Sequence, residues 1–196
     1  MNKIIRKIQY SEKVYRFDVE APLIAKSRKA GNFVIIRVDA NSERMPLTIA
    51  DADIEKGTIT LVVQKVGLPS TKLCNLNEGD EIHDVVGPLG NPTHIENFGT
   101  VLCAGGGVGV APMLPIIKAL KAAGNRVLSV IAGRSKDLVI MEDEVRASSD
   151  ELIIMTDDGS YGEKGVVTVG MEKLIQQEHI DKAFAIGPPI MMKFCC

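Results

Sequence analysis

The run Arg44-Met45-Pro46-Leu47-Thr48 sets a guanidinium and a hydroxyl four positions apart, with a proline between them. A guanidinium presents a planar fork of donors that can clamp a diphosphate. A threonine hydroxyl both donates and accepts a hydrogen bond, and Pro46 stiffens the backbone that joins the two. Taken alone, an arginine in a loop reads as readily as a solvated side chain. A second run, Gly105-Gly106-Gly107-Val108-Gly109, follows the apolar Val101-Leu102-Cys103-Ala104 and precedes Val110-Ala111-Pro112. This is the order strand, glycine turn, helix. Glycine lets the backbone turn tightly and approach a phosphate with no Cβ in the way. The helix that follows aims unsatisfied N–H groups and a positive dipole end at an anion. Pro112 costs nothing in a first helical turn, but it stands where the G-x-G-x-x-G fingerprint has its last small residue. A tight strand–helix connection with no ligand is the other reading. Four glycines in five positions after a first parallel strand favour a dinucleotide.

Two kinds of scaffold are needed to hold these runs, and the chain changes character near residue 97. Before it, short β-like runs alternate with breakers: 4–9, 13–20, 33–38, 47–51, 58–66 and 81–86. Gly31-Asn32, Lys56-Gly57, Glu78-Gly79-Asp80 and Gly87-Pro88 separate them, and 69–76 reads as one inserted helix. Six short strands imply a small antiparallel barrel or sandwich. After it, apolar strands at 100–104, 126–132, 152–156 and 183–186 alternate with helices at 108–123, 137–147 and 169–177. That rhythm implies a parallel sheet with helices on both faces. The expectation is therefore two domains with a cleft between them, residues 1–97 an antiparallel β-barrel and residues 98–196 an α/β domain.

Composition excludes several classes. The chain has 196 residues, 45% hydrophobic and 24% charged, enough for a sizeable core. A net charge of −2 argues against a nucleic-acid partner, which usually meets a basic surplus. No apolar run approaches the ~20 residues that span a bilayer, and the first residues lack the apolar stretch of a secretory signal. The expected place is the cytoplasm. Cys74, Cys103, Cys195 and Cys196 form no Cys-x-x-Cys pair and no zinc pattern. Cys74 and Cys103 read as small core residues. His83, His94 and His179 are isolated, and Glu142, Asp143 and Glu144 read as a solvated helix face.

Arg-x-Pro-Leu-Thr followed by the glycine run resembles the ferredoxin–NADP reductase superfamily, over nearly the whole chain and with the motifs in family order. The resemblance implies FAD in the barrel and NADH or NADPH in the α/β domain, with hydride passing between them. In that family an arginine grips the FAD pyrophosphate, and a serine or threonine faces the flavin N5 edge. Arg44 and Thr48 match, with one residue more between them than in the plant-type motif, so Thr48 takes the catalytic position. Pro46 and Leu47 fall within the same binding run. A glycine loop followed by Ser/Thr is the family's second flavin segment. Gly67-Leu68-Pro69-Ser70-Thr71-Lys72 matches it, so Gly67, Ser70, Thr71 and Lys72 are implied at the FAD phosphates, and Val62 and Val63 beside the flavin or adenosine.

On the nicotinamide side, Gly133-Arg134-Ser135 stands where the family reads the adenosine ribose. Asp157-Asp158-Gly159 follows the third parallel strand; its carboxylates either bind ribose hydroxyls or cap the turn. Gly187-Pro188-Pro189-Ile190-Met191 falls near the nicotinamide, and Met191 is retained there because of the glycine–proline turn before it. Ile186 occupies a position where many relatives carry cysteine.

Within the superfamily the chain looks most like two small subunits. One, favoured by the run Ile186-Gly187-Pro188-Pro189-Ile190-Met191-Met192-Lys193, is that of NADH-dependent ferredoxin:NADP oxidoreductase (also called sulfide dehydrogenase), and the alternative is the related electron-transfer subunit of dihydroorotate dehydrogenase. The resemblance implies a larger flavin and iron–sulfur catalytic subunit as partner, with ferredoxin as a further one. It favours NADH, although Arg134 and Lys136 could pair with a 2′-phosphate. A non-catalytic nucleotide-binding subunit and a free-standing flavin reductase are the other readings. Such subunits continue into a cysteine-rich segment that binds a two-iron two-sulfur cluster. Cys195-Cys196 cannot supply its four ligands, so the expectation is no metal in this chain and a truncated end.

Overall fold

In Phe33-Val34-Ile35-Ile36-Arg37 the fully covered positions are Val34 and Ile36, the period of two that marks a strand with one face on a core. The computed structural model describes residues 2–196 and divides them into two units, one ending at Thr93 and the other spanning His94–Cys196. The first unit holds β1 (Asn2–Gln9), β2 (Val14–Glu20), α1 (Pro22–Ser27), β3 (Phe33–Arg37), β4 (Met45–Asp53), β5 (Thr58–Gln64), α2 (Leu68–Asn75), β6 (Glu81–Ile82) and β7 (Asp84–Leu89). Its strands form one antiparallel sheet in the order β6-β1-β2-β5-β4-β3-β7. Only His83 separates the two edge strands, so the edges lie together and the sheet curls into a barrel. Phe17, Val34, Ile36, Ile49 and Leu61 fill its interior, and Ile24 of α1 and Leu73 of α2 pack into the same cluster. Burying each such side chain contributes about 1.5–3 kcal/mol. A slip of one residue would turn the whole set outward, and this fixes the register.

The antiparallel barrel agrees with the sequence expectation, while its details differ. There are seven strands, because the single run expected at 81–86 breaks at His83, whose N–H donates to the Val38 carbonyl at 3.3 Å. Helix α1 was not legible. Its six residues are too few to show a helical period, and Pro22 at its first turn reads equally as a breaker.

The second unit holds β8 (Thr100–Gly106), α3 (Val110–Ala122), β9 (Arg126–Gly133), α4 (Glu142–Ser148), β10 (Glu151–Thr156), β11 (Glu163–Lys164), α5 (Val167–Gln177), β12 (Lys182–Ile186) and α6 (Pro189–Cys195). Its sheet is parallel throughout, in the order β11-β10-β9-β8-β12. From β8 the chain builds outward through β9 and β10, then returns to place β12 on the other flank. The carboxyl end of β8 is thus the switch point of the sheet, where open α/β sheets bind ligands. Val167, Met171 and Leu174 of α5 pack on Leu102, Ala104, Leu128 and Val130. Strand alternation turns Val101, Cys103 and Val127 to the opposite face, the one left for α3 and α4, which contact each other.

The helix expected at 108–123 starts two residues later, since Gly107–Gly109 form a 3-10 turn, and Gly124 at φ +87° follows its end. The helix expected at 137–147 is two pieces. Met141 adopts φ +56°, which no helix continues through, so a 3-10 turn at Lys136–Leu138 precedes α4. Strand β11 and helix α6 are additions. Among the described residues no helix is long and apolar enough to cross a membrane.

Candidate functional site

Arg44 is exposed immediately before β4, and the strand then alternates. Met45 and Leu47 pack against the barrel core, with Ile49 inside it. Pro46 and Thr48 therefore point to the outer face. Pro46 sits opposite Ile35, ahead of the β4–β5 ladder that begins at Ile49↔Leu61, so its missing N–H leaves that ladder intact. Carried one residue past its first pair, that register would set Thr48 across from Val62, which is buried yet lies outside the barrel-core cluster. The same alternation corrects two expectations. Leu61 and Val63 are core residues, so only Val62 of the pair can face a ligand. Leu47 faces inward too, leaving its backbone as the part that could meet one.

The loop into α2 is held by Ser70. Its hydroxyl accepts the N–H groups of Val66 at 3.0 Å and Gly67 at 2.9 Å, and donates to the Gly67 carbonyl at 2.9 Å. The residue is 3% exposed, so Ser70 caps the helix, in contrast to the ligand-facing hydroxyl expected from the sequence. Its substitution by alanine is expected to cost about 1 kcal/mol, in the range for a lost helix cap. Chemical denaturation should show this as a lower midpoint at unchanged slope. Thr71, part-buried, donates its N–H to the Gly67 carbonyl at 2.9 Å. Lys72 meets protein groups here: its ammonium lies 2.8 Å from Asp39 Oδ2 and 3.2 Å from Ser42 Oγ. The hydrogen bonds from Lys72 and Ser42 hold the Asp39 carboxyl at about 2, well below the ordinary carboxylate value.

The glycine run sorts by what a side chain would strike. Gly105 and Gly106 finish β8 and do not belong to the turn. A Cβ on Gly105 would meet Val110 at 3.1–3.2 Å, and one on Gly106 would collide with the Met191 sulfur. On Gly109 it would enter the Ile186–Gly187 backbone, 2.8 Å from Gly187 Cα. Three of the four glycines thus serve close internal packing. Gly107 alone combines φ +55° with open space where a Cβ would stand. Val108 lies beside it in the 3-10 turn, and Pro112 in the first turn of α3. Met191 also lies against Gly187 and packs on the second core, so its thioether closes over the end of β8.

Two further loops are knitted together beyond β9 and β10. The N–H groups of Asp157 and Asp158 donate to the carbonyls of Gly133 (3.1 Å) and Arg134 (3.2 Å). Lys136 N–H donates to Ser160 Oγ at 2.9 Å. Asp158 Oδ1 accepts the Ser160 N–H at 2.9 Å, so Asp158 caps the turn that Gly159 completes at φ +76°, the second of its two readings. Asp157 and Arg134 are exposed. Glu142, expected on a solvated helix face, accepts the Tyr161 hydroxyl at 3.0 Å and pairs with Arg146. Nothing local in the sequence signals that contact. His94 and His179 sit in surface pairs with Glu96 and Asp181. Burial pushes the Cys103 thiol up to about 12, so it stays protonated packing material. No group of three metal-ligating side chains occurs among the described residues.

No protein-family model matches the chain. It is 49% identical over 195 residues to a Thermotoga maritima protein called dihydroorotate dehydrogenase B (NAD(+)), electron transfer subunit homolog, a match covering 100% of this chain and 69% of the relative. It is 32% identical over 197 residues to the Streptococcus pneumoniae dihydroorotate dehydrogenase B (NAD(+)), electron transfer subunit, covering 98% of this chain and 75% of that one. The chain belongs to this family of electron-transfer subunits. A solved structure of NADH-dependent reduced ferredoxin-NADP oxidoreductase, described in terms of flavin-based electron bifurcation, matches it at TM-score 0.94 and 46% identity, covering 100% of this chain and 70% of that one. That match shows the ferredoxin reductase-like fold. Because it runs the full length of this electron-transfer-subunit chain, it takes in both β4 and the glycine turn.

Proposed function

We propose that this chain is an FAD-dependent electron-transfer subunit that accepts hydride from NADH or NADPH and hands electrons to a partner. The observation that carries this reading is β4, with Arg44 exposed at its start and Thr48 on the face turned away from the barrel core. Membership of the electron-transfer subunit family supports it.

The donor set fits the two cofactors. Arg44 would grip the FAD diphosphate with its fork. The first turn of α2 would add the Leu68 and Ser70 N–H groups, which precede its first intrahelical bond. Thr48 would hydrogen-bond the flavin edge, and Val62 would cover an apolar surface of the cofactor. In the second unit Gly107, between Gly106 and Val108, would let the backbone approach a diphosphate, with α3 beyond it. Gly133, Arg134, Asp157 and Gly159 would meet the adenosine ribose, and Gly187 and Met191 would shape the nicotinamide end. When bound, FAD supplies the redox chemistry, taking two electrons together and releasing them singly; the protein orients and holds.

NADH is the proposed donor. Both the relatives' names and the matched structure refer to NAD(+) or NADH. Lys136, one of two cations that could meet a 2′-phosphate, lies 5.2 Å from the Tyr161 ring centroid. The proposed partner is a larger catalytic subunit, with ferredoxin as a further acceptor. No metal is assigned to the described residues. The cytoplasm is the proposed compartment, in keeping with four cysteines that are all free.

Anaerobic titration of the FAD-reconstituted protein with NADH tests the reading. Bleaching of the flavin absorbance is expected, at lower donor concentration for NADH than for NADPH. A colourless protein that takes up no FAD would sink it. Dinucleotide binding without bleaching would identify a non-catalytic nucleotide-binding subunit instead.

A further inference from the structure

The turn that delivers Arg44 is built on Asp39. Asp39 Oδ1 accepts the Asn41 N–H at 2.9 Å, and the Ser42 N–H donates to the Asp39 carbonyl at 3.1 Å. Asp39 Oδ2 and Ser42 Oγ then meet the ammonium of Lys72, in the last turn of α2. Arg44 stands two residues after Ser42, and the N-terminus of α2 stands one turn before Lys72. One ammonium therefore joins two segments that lie far apart in sequence and converge on the proposed flavin site. We propose that Lys72 is a positioning residue that clamps the Asp39–Ser42 turn to α2, so that Arg44 and the first turn of α2 meet one diphosphate in a fixed arrangement. This rests on the flavin reading above, and it replaces a direct contact between Lys72 and the cofactor.

The two roles predict opposite signs at Asp39. A lysine that touches the diphosphate itself is hindered by a neighbouring carboxylate, so neutralising Asp39 should leave FAD binding unchanged or tighten it. A clamp needs the carboxylate, so neutralising it should weaken binding. Asp39→Asn is a suitable probe because Asn can still accept the Asn41 N–H and keep the turn. The pair is well exposed, and exposed ion pairs are modest, so each loss should be about two- to fivefold in Kd.

The experiment measures FAD affinity by fluorescence quenching for the full chain and for Asp39→Asn, Lys72→Met and the double variant. The clamp predicts that both single variants weaken binding by similar factors and that the double variant is no worse than either, the signature of a shared contact. Unchanged or tighter binding in Asp39→Asn, or losses that multiply in the double variant, overturns it. Hydrogen exchange on the cofactor-free protein gives a second readout. Both single variants should speed exchange at the Asn41 and Ser42 amides, and unaltered protection there overturns the clamp. Failure of the unaltered chain to take up FAD removes the flavin reading, while the exchange result still decides whether the clamp exists.

Discussion

Arg44→Ala is expected to weaken FAD binding by about 10- to 100-fold, the equivalent of a hydrogen-bonded contact to a charged group at roughly 1.5–3 kcal/mol. The same change should leave the melting temperature of the cofactor-free chain almost unmoved. Arg44 is exposed ahead of β4 and is not part of the barrel core, and surface substitutions of that kind stay within about 0.5 kcal/mol. Separating the two readouts is the purpose of the experiment. A fall in affinity matched by a fall in stability would mean that Arg44 holds the strand and not the cofactor. Arg44→Lys should recover only part of the affinity, because an ammonium is a point charge without the planar fork. Isothermal titration of the apoprotein with FAD and a thermal melt in parallel would check all three outcomes.

Gly109→Ala should be the most damaging single methyl in the glycine run. Its Cβ would enter the backbone where β12 ends, 2.8 Å from both Ile186 C and Gly187 Cα. Backbone atoms cannot swing aside as a long side chain can. The expected cost is about 3 kcal/mol, at the upper end of overpacking, and a melting temperature lower by roughly 10–20 °C for a unit of this size. Gly107→Ala gives the contrast. Its Cβ meets nothing within 4 Å, and only φ +55° penalises it, by about 1–2 kcal/mol. Under the proposed function, however, the open space at Gly107 is where a dinucleotide approaches. Gly107→Ala should therefore raise KM for NADH more than it lowers stability, and Gly109→Ala the reverse. Equal effects on both quantities would remove the distinction between a packing glycine and a ligand-facing one.

The residues themselves carried much of the proposed site. Arg44 and Thr48 are informative because their side-chain chemistry is specific and their spacing lies within one strand. The glycine run is informative because a strand–turn–helix connection is local. The period-two pattern around Val34 and Ile36 and the alternation of apolar strands with helices were enough for a barrel followed by a parallel sheet, since burial repeats with the geometry of each element. Short pieces such as α1 and β11 escaped, because two to six residues cannot display a period.

What the tertiary structure decided was the partner of each side chain. Val62 and Val63 are buried neighbours of the same type, and only the placement of β5 in the barrel puts Val63 in its core and Val62 on the other face. Ser70 looks like a ligand hydroxyl until its three contacts within the α2 cap are seen. Lys72 looks like a phosphate cation until the fold brings it to Asp39, 33 positions away. Gly106 and Met191, 85 positions apart in the chain, fit together only because β8 and β12 are adjacent strands. Sequence by itself determined which chemical groups the chain has and which stand near one another along the backbone. Contacts made across long stretches of chain depend on how the whole core packs, so only the tertiary structure could decide which groups are committed to the fold and which remain turned outward.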